Sequence, residues 1–516
     1  MDINELLTSQ VNKDILTKLN DDYQKYFKWF LSLTEIPHPT FKCLPLSNAI
    51  QSWLTKMGVS FQHDQKGNIV IHIDANGMPQ TTPVFAIQAH IDMVTNGEFN
   101  NGKIEVNLIK NHQTGCFQIV ADKSTLGADD GFGVALILEL VERRNELIHG
   151  PLELILTIDE EMGLKGIQML PSIDGKTNAN TGISPLTYKY LINCDSLCGD
   201  NVYIGSAGGI VYQNDFLIHP ETILINNFSM ISISLSNCLG GHSGQCINLG
   251  RANAIKVMGR LLNYLLDSNI DFQFAELNGG KKITIIPPFC DTKIIVNTNK
   301  ESQTLEILTK YSKILKKEFE TADPDLTFDI KSEKIKEMKV MSIEETKKII
   351  SFITLCPSGT LRMSPFFPQA VDSSLNLGVI NLDGDKVKVE LFSRSATKAE
   401  IDNINQIMKN LFDIIGLKHV DNIWTAGVPW EPNVNSKLAK LMVETFEETC
   451  GKKVGISLLH VTIEPPQLQE LGYIDTDMIS ICPSIPKAHS IGEFIDVDEA
   501  IRWRNATYKL LSKITE

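Results

Sequence analysis

Acidic residues and a histidine stand beside four apolar segments in the first part of this 516-residue chain. They are His90 and Asp92 in QAHIDM, Asp129 and Asp130 in LGADDGFG, Asp159, Glu160 and Glu161 in LTIDEEMG, and Asp195 in INCDS. Three adjacent acids at the end of a buried strand repel one another, which destabilises a fold unless protons or cations neutralise them. Carboxylates and imidazoles are ligands of divalent metal ions, and two such ions would balance this charge. The donor set suits zinc best, with manganese or cobalt as alternatives.

Each of these groups, taken alone, also has a purely structural explanation. His90 with Asp92 fits a histidine at the edge of a sheet, and Asp129 fits a helix N-cap. The acids at 159–161 fit a solvated turn. Four such groups in succession favour a metal site. So much negative charge at one edge of a sheet destabilises the fold, and it is not expected where the residues serve stability alone. Residues two apart on a strand point the same way, so Asp92 can lie behind the imidazole of His90 and orient it.

The elements that would position these residues predict two domains. Apolar strands alternate with helices over residues 1–206, which predicts an α/β domain with a mixed, largely parallel sheet flanked by helices. Such sheets carry their sites at the carboxyl ends of the strands, where these acids stand. From 207 to 397 the pattern predicts an inserted α+β domain, with helices on one side of an antiparallel sheet. From 398 to 516 the helical α/β pattern returns, so we expect the catalytic domain in two parts around the insert.

The bulk composition is that of an ordinary globular protein, with 43% hydrophobic, 21% charged and 7% aromatic residues. A formal charge of −14 argues against a nucleic-acid partner, because phosphates attract basic surfaces. No uncharged apolar stretch of about 18 residues occurs, so no membrane partner is expected. The ten cysteines are scattered singly, which favours reduced thiols over disulfides or four-cysteine zinc sites. The N-terminus is acidic and polar rather than basic and then apolar, which predicts a cytoplasmic location.

The order of these motifs carries a family resemblance. The motifs are H-x-D (90–92), G-A-D-D-G (127–131), D-E-E-x-G (159–163), N-x-D-S (193–196), G-G-H-S-G (240–244) and H-S-I-G-E (489–493). In this order they resemble the co-catalytic di-zinc metallopeptidase family that includes glutamate carboxypeptidase, peptidase T and carnosinase. The sharper match is to its aminoacyl-histidine dipeptidases, and further motifs that carry it are IPHPT (36–40), IGSAGG (204–209) and SSLNLGV (373–379). The resemblance spans almost the whole chain and implies metal-dependent hydrolysis of dipeptides of the Xaa-His type.

The resemblance implies a set of metal ligands. Asp129 would bridge two metal ions, with His90 and Asp195 completing one site and Glu161 and His489 the other. It also implies a cis peptide bond after Asp129.

The resemblance implies catalytic and substrate-binding residues as well. Glu160 would be the general base for a water shared by the two ions, and Asp92 the partner of His90. In the inserted domain, a lid in this family, His242 would contact the substrate carbonyl and Arg394 the substrate carboxylate. Many relatives dimerise through this domain, so a homodimer is expected.

The chain departs from the family pattern at three places, none of which is a predicted metal ligand. Thr284 replaces an Asn, Glu464-Pro465-Pro466 replaces a flexible glycine-containing segment, and Cys43-Leu44 replace an acidic position. A Thr hydroxyl offers fewer hydrogen bonds than an Asn amide, so these changes bear on the choice of substrate. An aminopeptidase for short peptides, an amide deacylase of the same family, and an inactive peptide-binding relative therefore remain as alternatives.

Overall fold

The computed structural model of the chain describes residues 5–179, 181–224, 227–333 and 337–515. Its helices are α1 (Gln10–Thr17), α2 (Asp21–Leu33), α3 (Leu44–Lys56), α4 (Ala128–Glu142), α5 (Ala254–Asp267), α6 (Glu301–Glu318), α7 (Ile343–Leu355), α8 (Lys398–Ile415), α9 (Lys437–Cys450), α10 (Pro465–Glu470) and α11 (Val497–Leu511). The first strands are β1 (Ser60–His63), β2 (Ile69–Ile73), β3 (Phe85–His90), β4 (Asn107–Lys110), β5 (Phe117–Val120), β6 (Leu152–Thr157), β7 (Tyr190–Asn193) and β8 (Asn201–Ser206). The later strands are β9 (Gly208–Leu217), β10 (Glu221–Leu224), β11 (Phe228–Ser236), β12 (Gln273–Gly279), β13 (Cys290–Asn297), β14 (Thr327–Glu333), β15 (Glu337–Val340), β16 (Gly359–Met363), β17 (Val371–Asp383), β18 (Lys386–Ser395), β19 (His419–Gly427), β20 (Gly455–Leu459), β21 (Asp477–Ser480) and β22 (Phe494–Asp496).

The chain folds into two compact units. The first unit consists of Met1–Ser206, Trp430–Leu459 and Ile463–Glu516, and the second of Ala207–Pro429 and His460–Thr462.

An eight-stranded mixed sheet in the order β1-β2-β6-β3-β7-β21-β8-β20 forms the centre of the first unit. The neighbours β6, β3, β7 and β21 are parallel, and β1 and β2 add antiparallel pairs at one edge. The strands β3, β6 and β7 are buried along their whole length, which explains why FAIQAH, LELILT and YLIN are almost continuous apolar runs. Helix α4 packs against β3, and α9 packs against β21 and β8. The predicted α/β class with a mixed, largely parallel sheet is confirmed.

Glycine allows α4 to begin directly against this sheet. A Cβ atom on Gly133 would lie 2.4 Å from Cβ of Cys194 and 2.8 Å from Cβ of Ala89. Real Cβ atoms do not approach one another this closely, so any side chain at 133 would push the helix away from the ends of β3 and β7.

The second unit contains a large antiparallel sheet in the order β14-β11-β13-β12-β17-β18-β9-β19, with β16 paired to β17. Along β11 the apolar side chains of Ile231, Ile233 and Leu235 are buried, whereas Ser232 and Ser234 are less so. Their buried face joins one hydrophobic core with residues of α5, α6, α7 and α8. This α+β arrangement agrees with the class predicted for the insert.

The second unit extends further along the chain than the sequence indicated. Residues 398–429 were assigned to the second part of the catalytic domain, but they lie in the second unit. The reason is that β19 pairs with β9 over most of its length, and Met408 and Phe412 of α8 join the core of the second unit. An amphipathic helix followed by a strand fits either domain, so the sequence pattern alone does not say which sheet they join.

Two expectations from the composition concern membrane-spanning helices and cysteines. None of the helices in the described ranges combines the length and the apolar character that a membrane crossing requires. The ten cysteines all have free thiols.

Candidate active site

Ligand-type side chains from five segments of the first unit come together at the carboxyl ends of its parallel strands. His90 ends β3, Asp129 lies in the first turn of α4, Glu160 and Glu161 follow β6, Asp195 follows β7, and His489 lies between β21 and β22. Among these side chains, three overlapping groups have ligand atoms that all lie within 4.8 Å of one another: His90 with Asp129 and Asp195, His90 with Glu160 and Glu161, and Asp129 with Glu161 and His489. The structure thus brings together all five residues that the resemblance implies as metal ligands, together with Glu160.

The carboxylate of Asp129 lies between the two histidines. Its Oδ1 is 3.0 Å from Nε2 of His90, and its Oδ2 is 2.8 Å from Nε2 of His489. His489 Nε2 is also 2.9 Å from Oε1 of Glu161. One carboxylate therefore offers an oxygen to each of two adjacent ligand groups, as a ligand that bridges two ions must.

Asp92 supports both His90 and the turn that carries Glu160. Nδ1 of His90 lies 2.9 Å from the backbone oxygen of Asp92 and 3.5 Å from its Oδ1, so the main chain is the closer partner. A proton on Nδ1, donated to that carbonyl, leaves the Nε2 lone pair of the neutral ring for a cation. The Asp92 Oδ1 atom also accepts the backbone N–H of Glu160 at 2.9 Å.

The group carries a buried excess of negative charge. Burial raises the pKa of Glu160, Glu161 and Asp195, and neighbouring carboxylates raise it further. Burial alone would lower the pKa of His489, but hydrogen bonds to Asp129 and Glu161 outweigh it and raise the pKa to about 11. These pKa shifts mean that this cluster of side chains binds protons, and by the same argument cations, readily. Carboxylate and imidazole donors in two overlapping groups fit a pair of divalent cations.

The loop that leads into Asp129 is fixed by a residue to which sequence reasoning gave no role. Glu493 is buried, and its carboxylate accepts the backbone N–H groups of Leu126 and Ala128 at 2.9 Å each, and that of Gly127 at 3.4 Å. Since Glu493 and His489 share a loop, this contact ties one predicted metal ligand to the segment that carries another. The motif HSIGE contained this residue and was the signal available in the sequence.

The peptide bond between Asp129 and Asp130 is cis, as the resemblance implied, so this prediction is confirmed. The side chain of Asp130 is buried and accepts the backbone N–H of Gly133 at 3.0 Å and that of His90 at 3.3 Å.

A second buried acid, Glu464, lies behind the strand ends. Its Oε2 accepts hydrogen bonds from the hydroxyl of Thr157 at 2.7 Å and from the amide of Gln88. Burial raises its pKa to about 7. These partners lie on β6 and β3, so Glu464 links the strand that ends at His90 to the strand that precedes Glu160.

The other departures from the family pattern have structural partners too. The backbone oxygen of Thr284 accepts the N–H of Ser243 at 2.8 Å. The thiol of Cys43 lies 3.6 Å from Oδ1 of Asp159, and Pro465 is the first residue of α10.

His242 lies in the second unit, in the loop between β11 and α5. Its Nδ1 accepts the backbone N–H groups of Gly244 at 3.2 Å and Gln245 at 3.4 Å. Since Nδ1 accepts, the proton of the neutral ring lies on Nε2. A backbone bridge to Ile285 holds the same residue in place.

Arg394, on β18 of the second unit, is a buried cation. It is 4% exposed, and its guanidinium lies 4.1 Å from the centre of the Phe392 ring. No carboxylate forms an ion pair with it among the described residues, and its Nε atom has no hydrogen-bond partner there. Burial lowers the pKa of Arg394 to about 10. An unpaired buried guanidinium is costly, so this arrangement suits a residue that binds an anionic ligand.

Comparisons with known proteins agree with this architecture. A family model described as a peptidase dimerisation domain of M20 type matches residues 233–323. The cytosol non-specific dipeptidase of Escherichia coli K12 is 29% identical over 490 residues, which are 94% of this chain and 96% of that protein.

Solved structures extend the agreement to the fold. The aminoacylhistidine dipeptidase of Vibrio alginolyticus matches 97% of this chain and 98% of its own, with a TM-score of 0.80 and 28% identity. The aminopeptidase PepT of Bacillus cereus, at 14% identity, shares the fold over 96% of this chain and 99% of its own, with a TM-score of 0.53. These findings confirm the resemblance drawn from the motifs. The chain is an enzyme that is similar, over almost its whole length, to dipeptidases of the M20 metallopeptidase type.

Proposed function

We propose that this dipeptidase hydrolyses Xaa-His dipeptides with two divalent metal ions, for which zinc is the best match. The observation that carries the proposal is the Asp129 carboxylate, which offers one oxygen to the group of His90 and the other to the group of His489. Asp195 belongs to the first group and Glu161 to the second. The carboxylate and imidazole donors favour zinc, and manganese or cobalt would also be accepted.

Glu160 is the proposed general base. When bound, two divalent ions would supply a water of lowered pKa and a polarised peptide carbonyl. Glu160 is buried, its raised pKa makes it a ready proton acceptor, and its backbone is held by Asp92. It would take a proton from the attacking water and pass it to the leaving amine.

Two residues of the second unit would bind the substrate. The Nε2 proton of His242 makes it a donor suited to the carbonyl oxygen of the scissile bond, where negative charge develops. Arg394 has an unpaired, buried guanidinium suited to the substrate's C-terminal carboxylate.

The choice of Xaa-His is supported by the name of the Vibrio relative, whereas the name of the Escherichia coli relative suggests a broader range. An aminopeptidase for short peptides and an amide deacylase of the same family are the alternatives. A panel of dipeptides, tripeptides and N-acyl amino acids separates the three. The proposal predicts the highest kcat/KM on dipeptides, with Xaa-His ahead of other C-terminal residues. Faster turnover of tripeptides or N-acyl amino acids would contradict it.

Substrate length is the first testable consequence of the proposed role of Arg394. Xaa-His should be cleaved well, whereas Xaa-His-Gly and Xaa-His amide should be poorer by roughly two to three orders of magnitude in kcat/KM. The reason is that neither places a carboxylate where Arg394 would pair with it, so a buried cation stays unpaired. Steady-state kinetics on the three peptides measures the effect.

The matched variant is Arg394→Ala. It should lower kcat/KM on the dipeptide strongly and on the amide much less, while metal content stays as in the unchanged protein. Equal rates on dipeptides and tripeptides would defeat the dipeptide assignment of Arg394 and favour the aminopeptidase alternative.

The same comparisons support a proposal for assembly and one for location. The match of residues 233–323 to a peptidase dimerisation domain supports a homodimer. The Escherichia coli relative is named a cytosol enzyme, which supports a cytoplasmic location for this chain as well.

A further inference from the structure

His460 is a buried histidine that uses only one of its two ring nitrogens. It is 8% exposed, and its Nε2 lies 2.6 Å from the hydroxyl oxygen of Ser374. Its Nδ1 is buried and has no hydrogen-bond partner among the residues that the structure describes. His149, a buried histidine of the first unit, shows the contrast, because its Nδ1 and Nε2 contact backbone oxygens at 2.7 and 2.9 Å. A histidine that serves only packing is expected to look like His149.

His460 lies beside the cation proposed to bind the substrate. Ser374 on β17 is the register partner of Arg394 on β18, within the second unit that also contains residues 460–462. The loop of His242 reaches the same place, since a Cβ on Gly244 would lie only 2.4 Å from the backbone oxygen of His460.

Other buried polar atoms of these loops and strands also lack partners in the described part of the chain. They are Nε of Arg394, Oδ1 of Asn376 and the hydroxyl of Ser243. The side-chain amide of Asn376 donates to the backbone oxygen of Ile285, and Ile285 forms a backbone bridge with His242. Asn376 therefore lies close to the loop that carries His242. Each unpaired buried polar atom is costly, and several in one neighbourhood indicate a surface that a polar ligand completes.

The imidazole of His460 is neutral across the ordinary pH range. Burial lowers its pKa to about 3, Arg394 and His242 lower it in the same direction, and a weak hydrogen bond with the backbone of Val371 raises it to a smaller extent. No acidic group contributes to the shift. If the Ser374 hydroxyl donates to Nε2, the single ring proton lies on Nδ1. Nδ1 is then a buried donor next to a cation, and no described residue accepts its proton within hydrogen-bond geometry.

From this geometry we infer that His460 is a specificity-determining residue whose Nδ1–H donates to the C-terminal carboxylate of the peptide. The inference rests on the proposed role of Arg394 in binding that carboxylate. The two residues divide the work: Arg394 supplies the charge, and His460 supplies a directed hydrogen bond without a second positive charge. The C-terminal carboxylate of a bound peptide would accept hydrogen bonds from both Arg394 and His460. Peptides with a free C-terminus would therefore bind better than peptides without one.

Two variants of similar size separate this role from packing. In His460→Asn the side-chain amide nitrogen takes the position of Nδ1, and in His460→Gln it takes the position of Nε2. His460→Gln should therefore raise KM for Ala-His on the order of 10- to 100-fold, with kcat little changed, because a hydrogen bond to a charged group is lost. His460→Asn should recover most of that loss. On Ala-His amide, which has no carboxylate, the two variants should give similar kcat/KM values.

Controls for folding and for the proposed function complete the experiment. Metal content and melting temperature should not differ between the two His460 variants, and His149→Gln should lower the melting temperature without raising KM. If Gln and Asn at 460 give the same KM, or if the losses on Ala-His and on its amide are equal, His460 serves packing alone. If Arg394→Ala fails to distinguish Ala-His from its amide, the proposed carboxylate site itself is wrong. If Arg394→Ala distinguishes them and His460→Gln does not, only the role of His460 is wrong.

Discussion

Replacing Glu160 with Gln should lower kcat by roughly two to four orders of magnitude while the metal content stays near that of the unchanged protein. Gln has almost the same shape as Glu but cannot accept the proton of the attacking water. The backbone N–H of Glu160 would still bond to Asp92, so the turn should keep its conformation. Steady-state kinetics on Ala-His, together with metal analysis of the same preparation, measures both quantities.

Glu161→Gln is the matched control, because the two acids are adjacent and carry the same functional group. Glu161 lies 2.9 Å from His489 in the second ligand group, so its replacement should weaken binding of one metal ion. Added metal should then restore part of the activity of Glu161→Gln and none of that of Glu160→Gln. If Glu160→Gln lost metal and Glu161→Gln kept it, the two roles would be reversed.

Exhaustive chelation should abolish dipeptide hydrolysis, and zinc, manganese or cobalt should restore it. The buried carboxyl groups with raised pKa, such as Glu160 and Asp195, show that the site without cations holds negative charge poorly. Metal binding should therefore also raise the melting temperature, because a ligand that binds only the folded state stabilises it. Activity and thermal unfolding, measured before chelation, after it and after metal is returned, test both effects.

A control separates metal loss from damage by the chelator. A chelator saturated with zinc beforehand should leave activity unchanged. Full activity in protein treated with the free chelator would contradict metal dependence.

Several of the proposed metal ligands were predictable because they lie at or just after the ends of strands. Parallel strands bring their carboxyl ends to one edge, so His90, Glu161 and Asp195 were expected together from the apolar runs that precede them. His489 follows no such run and lies 360 residues from Asp129, so only the family resemblance pointed to it. The cis bond at Asp129 likewise came from the resemblance, since no residue pattern encodes it.

What the sequence did not predict depends on partners that are distant in the chain. Glu493 and Glu464 are buried acids whose partners are backbone and side-chain groups hundreds of residues away, and pattern reasoning treats such acids as solvated. The boundary after 397 was misplaced for the same reason, because the pairing of β19 with β9 decides where residues 398–429 belong. The role of His460 was not predicted either, because its unpaired nitrogen becomes visible only in the folded chain.

The central claim is that one group of side chains around Asp129 holds two metal ions that the reaction requires. The most direct measurement is the titration of metal-free protein with zinc, following bound metal and Ala-His hydrolysis in the same samples. We expect full activity to require about two ions per chain, and His489→Ala to lower the number bound tightly to about one. Full activity with much less than one ion per chain, or unchanged metal binding in Asp129→Ala, would contradict it.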